Sequence, residues 1–139
     1  MKDILLLIGS ESDGDAVKPA MELMEEKGIS FALKVLSAHR NLEELVAYLK
    51  AEEPNFRIVV AAAGLSAALP GVVASIVKRP VIGIPLVSGS LSGIDALLSI
   101  LQLPRGVPVA TMGIGKQGVL NAVLLAERIL AVPRAGGPA

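Results

Sequence analysis

The stretch that decides the fold is residues 4–13, which read ILLLIGSESD. Five consecutive apolar residues, Ile4–Ile8, are followed by a glycine and then by small polar and acidic residues. A short, uninterrupted apolar run is typical of a strand that is covered on both faces of a parallel sheet. The polar residues after it predict a loop at the carboxyl end of that strand, leading into a helix.

Four later apolar runs repeat this pattern and alternate with helical patterns. The further predicted strands are Phe31–Leu36, Ile58–Ala62, Val81–Ile84 and Val107–Met112. The predicted helices are Asp13–Lys27, a helix that Asn41 and Glu44 open as a capping box, Pro70–Val77, Gly93–Leu103 and Val119–Leu130. Strand and helix in alternation predict a three-layer α/β/α fold with a mostly parallel five-stranded sheet, in the flavodoxin-like or Rossmann-like class.

Length and composition limit the class of protein. The 139 residues fit one domain, predicted over 1–132, with a Pro/Gly/Ala-rich flexible tail over 133–139. Apolar residues make up 53% of the chain and charged residues 19%, which excludes disorder. Thirteen basic and thirteen acidic residues cancel, and three aromatic residues give little stacking surface, so we expect no nucleic-acid partner.

The absence of cysteine excludes disulfides and thiolate chemistry and is compatible with a cytoplasmic enzyme. With a single histidine and no cysteine, we also expect no metal centre. The start of the chain lacks the features of a signal peptide. Ile58–Val77 carries no charge and is long enough to span a bilayer, but Gly64 and Pro70 interrupt it. We therefore expect a buried strand, a loop and a buried helix there, with no membrane partner.

The predicted strand-to-helix loops concentrate the polar chemistry of the chain. Seven of its ten serines fall in the first four of these loops: Ser10, Ser12, Ser37, Ser66, Ser88, Ser90 and Ser92. In open α/β sheets, ligands bind outside the carboxyl ends of the strands, where helix N-termini favour anions. This distribution indicates a phosphorylated small molecule as the ligand.

Two loops carry the ionisable candidates. Taken alone, Gly9–Asp13 reads as an ordinary helix N-cap, but Arg40 in the next loop offers a guanidinium fork for phosphate. His39, the single histidine, lies between Ser37 and Arg40 at a strand end. Histidine is the side chain best suited to proton transfer near neutral pH, although a lone histidine can also be purely structural.

The last predicted loop offers an alternative function. Gly113, Gly115 and Gly118 form the G-x-G-x-x-G pattern of dinucleotide-binding loops. That pattern normally follows the first strand of its fold, and here it follows the fifth. A non-catalytic dinucleotide-binding module therefore stays a more distant alternative.

Together the loops resemble a known family. The matching segments are Gly9–Asp13, Ser37–Arg40, Ala68–Gly71, Leu91–Asp95 and Leu103–Pro108. They are similar to the purine-biosynthetic family of 5-(carboxyamino)imidazole ribonucleotide mutase and aminoimidazole ribonucleotide carboxylase, over about residues 4–130. The resemblance implies a flavodoxin-like subunit, a homo-octamer and cofactor-free chemistry on a phosphoribosyl imidazole.

The resemblance also implies roles for individual residues. His39 would transfer the proton while carbon dioxide leaves the exocyclic nitrogen and adds to ring carbon 4. The remaining implied substrate-binding residues are Ser10, Ser12 and Arg40 for the 5-phosphate, Asp13 for the ribose, Gly64, Ser66 and Ala67 around the imidazole and carbon dioxide, and Ser37, Ala38 and Leu69 beside them.

Two enzyme classes share these motifs. Ser66 and Ala68 agree with the carboxylase class, a lyase that uses free carbon dioxide; the mutase normally has a second histidine where this chain has Ala68. Arg40, Leu65, Pro70 and the region Leu91–Pro108 agree with the mutase, an isomerase. We predict the mutase of IMP biosynthesis, with the carboxylase as alternative, and a functional pairing with the ATP-dependent synthetase that makes the carboxyamino substrate.

Overall fold

Five strands and five helices alternate along residues 1–134, the part of the chain that the computed structural model describes. The strands are β1 (Lys2–Ile8), β2 (Phe31–Val35), β3 (Phe56–Gly64), β4 (Val81–Leu86) and β5 (Ala110–Thr111). The helices are α1 (Gly14–Glu26), α2 (Leu42–Glu52), α3 (Ala68–Ile76), α4 (Ile94–Leu101) and α5 (Lys116–Ala131). Of the predicted tail, residues 135–139 lie outside the described residues.

The strands form a single sheet in the order β2-β1-β3-β4-β5. All four pairings are parallel, so the sheet is more regular than the mostly parallel one that we predicted. This order confirms the flavodoxin-like class. The connections change direction between β1 and β3, and such a switch point opens a crevice at the carboxyl ends of the strands.

The sheet divides the core into two layers of side chains. Along β1, Ile4, Leu6 and Ile8 face one side, while Leu5 and Leu7 face the other, because alternate side chains of a strand point to opposite faces. The first set packs against α1 and α5, and the second against α2, α3 and α4. Cover on both faces explains the high apolar content of the chain.

The fifth strand is shorter than predicted. We expected a strand over Val107–Met112, but the ladder with β4 holds Ala110 and Thr111 alone. Pro108 has no backbone N–H to donate to a ladder, which confines proline to the margins of a sheet. The preceding residues instead pack by their side chains, as Val107 and Val109 do against the core beneath α3.

The capping box predicted for α2 is wrong. Asn41 precedes the helix, but its side chain makes no hydrogen bond to the first turn. Its Oδ1 instead accepts a hydrogen bond from the backbone N–H of Ser37 at 3.4 Å. The side chain is thus used within the loop that precedes the helix.

The uncharged run Ile58–Val77 lies mostly inside the molecule. It forms most of β3, then a tight loop, then α3, as predicted. Among the described helices, none combines the length and the apolar character needed to cross a bilayer.

Candidate active site

A cavity of about 280 Å³ opens at the carboxyl ends of β1, β2 and β3, which is the switch point of the sheet. The loops that follow these three strands form most of its wall, and Ser88 after β4 adds to it. Its lining residues are Gly9, Ser10, Ser12, Asp13, Ser37, Ala38, His39, Arg40, Ala63, Gly64, Leu65, Ser66, Ala68, Leu69 and Ser88.

The first loop holds two hydroxyl groups side by side. The Oγ atoms of Ser10 and Ser12 are 2.9 Å apart, and Ser10 Oγ also accepts a hydrogen bond from the Ser12 N–H at 3.3 Å. Ser10 thereby caps a short 3-10 helix, Glu11–Asp13, that leads into α1. Ser10 can therefore both cap the turn and bind a ligand, because the capped turn holds its hydroxyl at the cavity wall.

Asp13 ends this 3-10 helix on the wall of the cavity. Partial burial raises the pKa of its carboxyl group above the ordinary value, because the charged form loses water. A hydrogen bond with the Ser10 backbone partly opposes that rise in pKa. A half-buried carboxylate can accept hydrogen bonds from the hydroxyl groups of a sugar.

The second loop is a tight turn that presents His39 and Arg40. Ser37 Oγ accepts a hydrogen bond from the Arg40 N–H at 3.2 Å, and the Ser37 carbonyl accepts one from the Asn41 N–H at 3.0 Å. Ala38 is buried beneath the turn, whereas His39 and Arg40 are exposed. The turn thus anchors its apolar residue and leaves the imidazole and the guanidinium available to a ligand.

The third loop connects β3 to α3 with a left-handed residue. Leu65 has φ 55°, an uncommon backbone conformation for a residue with a side chain. The Ala67 N–H donates to the Leu65 carbonyl at 2.9 Å, and the Ala68 N–H to the Ser66 carbonyl at 2.6 Å. All the predicted site residues except Ala67 line the cavity. Ala67 is 1% exposed and its side chain packs into the core.

Five lining residues were absent from the predicted binding set: Gly9, Ala63, Leu65, Ala68 and Ser88. Ser88 follows β4, and its loop approaches the third loop so closely that a Cβ on Gly64 would lie 3.0 Å from Ser88 Cβ. The cluster of serines in the strand-to-helix loops already marked Ser88. Its contact with Gly64 depends on how two loops pack together, which no local pattern specifies.

His39 stands at the boundary of two cavities. A second, more apolar cavity of about 440 Å³ shares His39, Ser66 and Ala68 with the first. Side chains of α3 and of the segment after α4 complete it, including Val72, Leu103 and Val107. The imidazole therefore has polar, anion-ready surroundings on one side and apolar surroundings on the other.

The charge pattern of the main cavity suits a phosphorylated ligand. The helices α1, α2 and α3 each begin just after a loop that lines it, and the positive ends of helix dipoles attract anions. Arg40 adds a full positive charge and His39 a group that can exchange protons. Within residues 1–134, no three His, Cys, Asp or Glu side chains lie close enough together to hold a metal ion.

The G-x-G-x-x-G loop lies elsewhere and has a packing role. Gly113 and Gly115 have positive φ angles, and a Cβ on Gly118 would overlap the backbone carbonyl of Gly113. The glycines therefore allow a close turn between β5 and α5. None of the three lines the main cavity, and Gly115 instead lines a separate cavity of about 310 Å³, so this loop adds nothing to the site around His39.

Comparisons with known proteins agree with one another. The model of the family described as AIR carboxylase matches residues 3–136. An N5-carboxyaminoimidazole ribonucleotide mutase of Brucella melitensis is 44% identical over 94% of this chain and 81% of its own length. The mutase of Saccharolobus solfataricus is 45% identical over 95% of this chain and 83% of its own. The crystal structure of Treponema denticola PurE superposes with a TM-score of 0.83 at 32% identity, covering 94% of this chain and 81% of that one.

Proposed function

The chain belongs to the AIR carboxylase family, and from this premise we propose that it is an N5-carboxyaminoimidazole ribonucleotide mutase. The observation that carries the proposal is a single cavity in which two adjacent serines, Arg40 and His39 meet at the switch point of the sheet. In this reaction a carboxyl group moves from the exocyclic nitrogen to ring carbon 4 of a phosphoribosyl imidazole, as a step of purine biosynthesis.

The first two loops bind the phosphoribosyl group. Ser10 and Ser12 donate hydroxyl hydrogen bonds to the 5-phosphate, and Arg40 binds it through a charge-assisted pair of N–H donors. Asp13 accepts from the ribose hydroxyls. The neighbouring Ser37 and Ala38 fix the turn so that phosphate binding places the imidazole next to His39. What supports this assignment is the shared cavity and the 2.9 Å spacing of the two hydroxyls.

His39 moves the proton in both halves of the reaction. Protonated His39 gives its proton to the exocyclic nitrogen as the N–C bond breaks and carbon dioxide leaves. Ring carbon 4 then attacks that carbon dioxide, and His39 takes the proton that carbon 4 loses. The imidazole ends protonated as it began, so the isomerisation needs no co-reactant. Gly64, Ser66 and Leu69 enclose the ring and the carbon dioxide in this scheme, which limits loss of the intermediate to water.

The experiment is a pair of assays without ATP. One supplies the carboxyamino nucleotide, and the other supplies aminoimidazole ribonucleotide with bicarbonate. The mutase proposal expects faster turnover of the first substrate at equal concentrations. Faster turnover of the second would establish the carboxylase instead. That alternative, a carbon–carbon lyase using free carbon dioxide, is favoured by Ser66 and Ala68 in the third loop.

We also propose that the protein works as a homo-oligomer, an octamer. The support is an apolar stripe on α4, where Ile94, Leu98 and Leu101 are exposed at helical spacing. Sedimentation velocity tests the octamer, and Leu98→Glu should shift the distribution to smaller species.

The remaining proposals concern its surroundings. We propose that the protein is cytoplasmic, which the absence of cysteine supports. We also propose that the ATP-dependent synthetase that carboxylates the exocyclic amine delivers the substrate to it. Fractionation of the producing cells tests the location. A coupled assay tests delivery: if delivery is direct, the inactive His39→Asn protein slows the pair by competing for the synthetase.

A further inference from the structure

A third cavity, of about 370 Å³, lies at the opposite end of the sheet from the candidate active site. It forms where β3 and β4 begin and where α5 ends, whereas the active-site loops follow the carboxyl ends of the strands. Its described lining combines three arginines with apolar side chains: Arg57, Ile58, Arg79, Ile129, Leu130, Val132, Pro133 and Arg134. No acidic residue belongs to that described lining.

Arg79 carries an unsatisfied donor in this region. Its Nε atom is buried and has no hydrogen-bond partner among the described residues. A buried donor without a partner destabilises the folded state, so native structures almost always supply one. Because Arg79 as a whole is only partly buried and lines the cavity, a shift of its guanidinium can bring this donor to a ligand that offers oxygen acceptors.

Arg57 is held in place before any ligand arrives. Its Nη2 donates to the Leu130 carbonyl at 3.3 Å, and its Nη1 lies 3.7 Å from Asp3 Oδ1. Asp3 is itself fixed, because its Oδ2 accepts from the Ser30 N–H at 3.1 Å and from the Ser30 hydroxyl at 3.0 Å. An arginine that is already oriented loses less side-chain freedom when it binds an anion.

We propose that this cavity binds a small organic anion, a phosphate or a carboxylate carried on an apolar group. The guanidinium groups of Arg57, Arg79 and Arg134 supply paired N–H donors for the oxyanion. The apolar lining, including Ile58 and Leu130, covers the body of the ligand. The volume is within the range of small-molecule sites and exceeds what an inorganic ion needs. This site is independent of the reaction assigned to His39.

The test titrates the full-length protein with phenyl phosphate and benzoate by calorimetry. The background is Arg40→Gln, which removes the charged phosphate contact of the candidate active site and leaves the Ser10 and Ser12 hydroxyls there. One binding event per chain is expected in that background, and the stronger probe tells whether phosphate or carboxylate is preferred. Benzyl alcohol, which lacks the charge, should bind at least tenfold more weakly.

Substitutions then locate the event. Arg79→Gln should lower the affinity for the tighter-binding probe by at least tenfold. Arg134→Gln, tested separately, should lower it about threefold. Arg128→Gln on the exposed surface of α5 is the matched control and should change nothing. Circular dichroism checks folding; if Arg79→Gln unfolds, the exposed Arg134 carries the test. The proposal is overturned if no probe binds, if benzyl alcohol binds equally well, or if folded Arg79→Gln or folded Arg134→Gln keeps full affinity.

Discussion

The hydroxyl of Ser37 accepts a hydrogen bond from the backbone N–H of Arg40 at 3.2 Å, so the residue that opens the second loop also closes it. His39 lies inside the turn that this contact ties together. The position of the imidazole therefore depends on a serine that need not touch the reacting atoms.

Ser37→Ala should loosen this turn. We expect kcat/KM to fall about three- to tenfold and the free energy of unfolding to fall by about 1 kcal/mol, the usual contribution of one hydrogen bond. Ser37→Thr keeps the acceptor oxygen and should recover most of the activity. The measurements are steady-state kinetics and urea unfolding. Equal loss in both variants would mean that the hydroxyl contact does not position the loop.

His39→Asn should abolish turnover while the protein stays folded. A positioned general acid/base contributes about 10²–10⁴-fold to rate, and the exposed side chain supports no core packing. We expect kcat to fall by at least about 10²-fold, with an unchanged thermal midpoint and unchanged substrate affinity by calorimetry. Wild-type turnover in this variant would refute the proton-transfer role.

Arg40→Gln should weaken binding through the phosphate. Loss of a hydrogen bond to a charged group costs about 1.5–3 kcal/mol, which corresponds to about a 10- to 100-fold loss of affinity. The dephosphorylated nucleoside provides the control ligand, and it should bind wild type and variant alike. If the substitution weakens the binding of nucleoside and nucleotide equally, Arg40 does not contact the phosphate.

Asp13→Asn should raise stability at neutral pH while it weakens ribose binding. The pKa of Asp13 is higher in the folded state than in the unfolded state, so ionisation destabilises the fold above the unfolded pKa. The amide removes this penalty. The stability gain over wild type should be largest at pH 7 and should shrink as pH falls toward the ordinary pKa of 3.8. Urea unfolding across that pH range measures it, and a gain that grows with acidity would have the wrong sign.

Gly118→Ala should destabilise the protein strongly, because the new Cβ would overlap the Gly113 carbonyl and the backbone has to move. Gly14→Ala is the matched control, since its Cβ would meet nothing within 4 Å and its φ of −57° is helical. That change should be neutral or stabilising by about 0.5–1 kcal/mol. Thermal unfolding compares the two, and equal midpoints would show that the loop tolerates a side chain at residue 118.

Much of the fold could be predicted because each strand is an apolar run with polar residues at its carboxyl end. Ile4–Ile8 illustrates this, since burial on both faces leaves an unbroken apolar signature. Because ligands bind beyond those ends, the sequence also predicted that residues of separate loops lie together, and residues of three loops do line one cavity. These features follow from local composition together with the handedness of βαβ units.

The features that the sequence did not predict depend on tertiary contacts. Asn41 has the sequence of a helix cap, yet its side chain bonds to Ser37 because the loop folds back on itself. Ala67 stays a predicted binding residue, but its side chain packs into the core, two residues after the left-handed Leu65. Neither outcome has a periodic or compositional signature. The burial of Arg79 Nε without a partner likewise depends on how segments distant in sequence pack together.

The two-residue ladder of β5 also limits how copies of the chain can associate. An exposed strand edge offers unpaired N–H and C=O groups on which another chain can add a strand, a common route to aggregation. Here that edge is short, and Pro104 and Pro108 precede it without N–H donors. The sheet is therefore poorly suited to growth across molecules at β5, and a contact between copies at that edge would need side chains rather than a shared strand ladder.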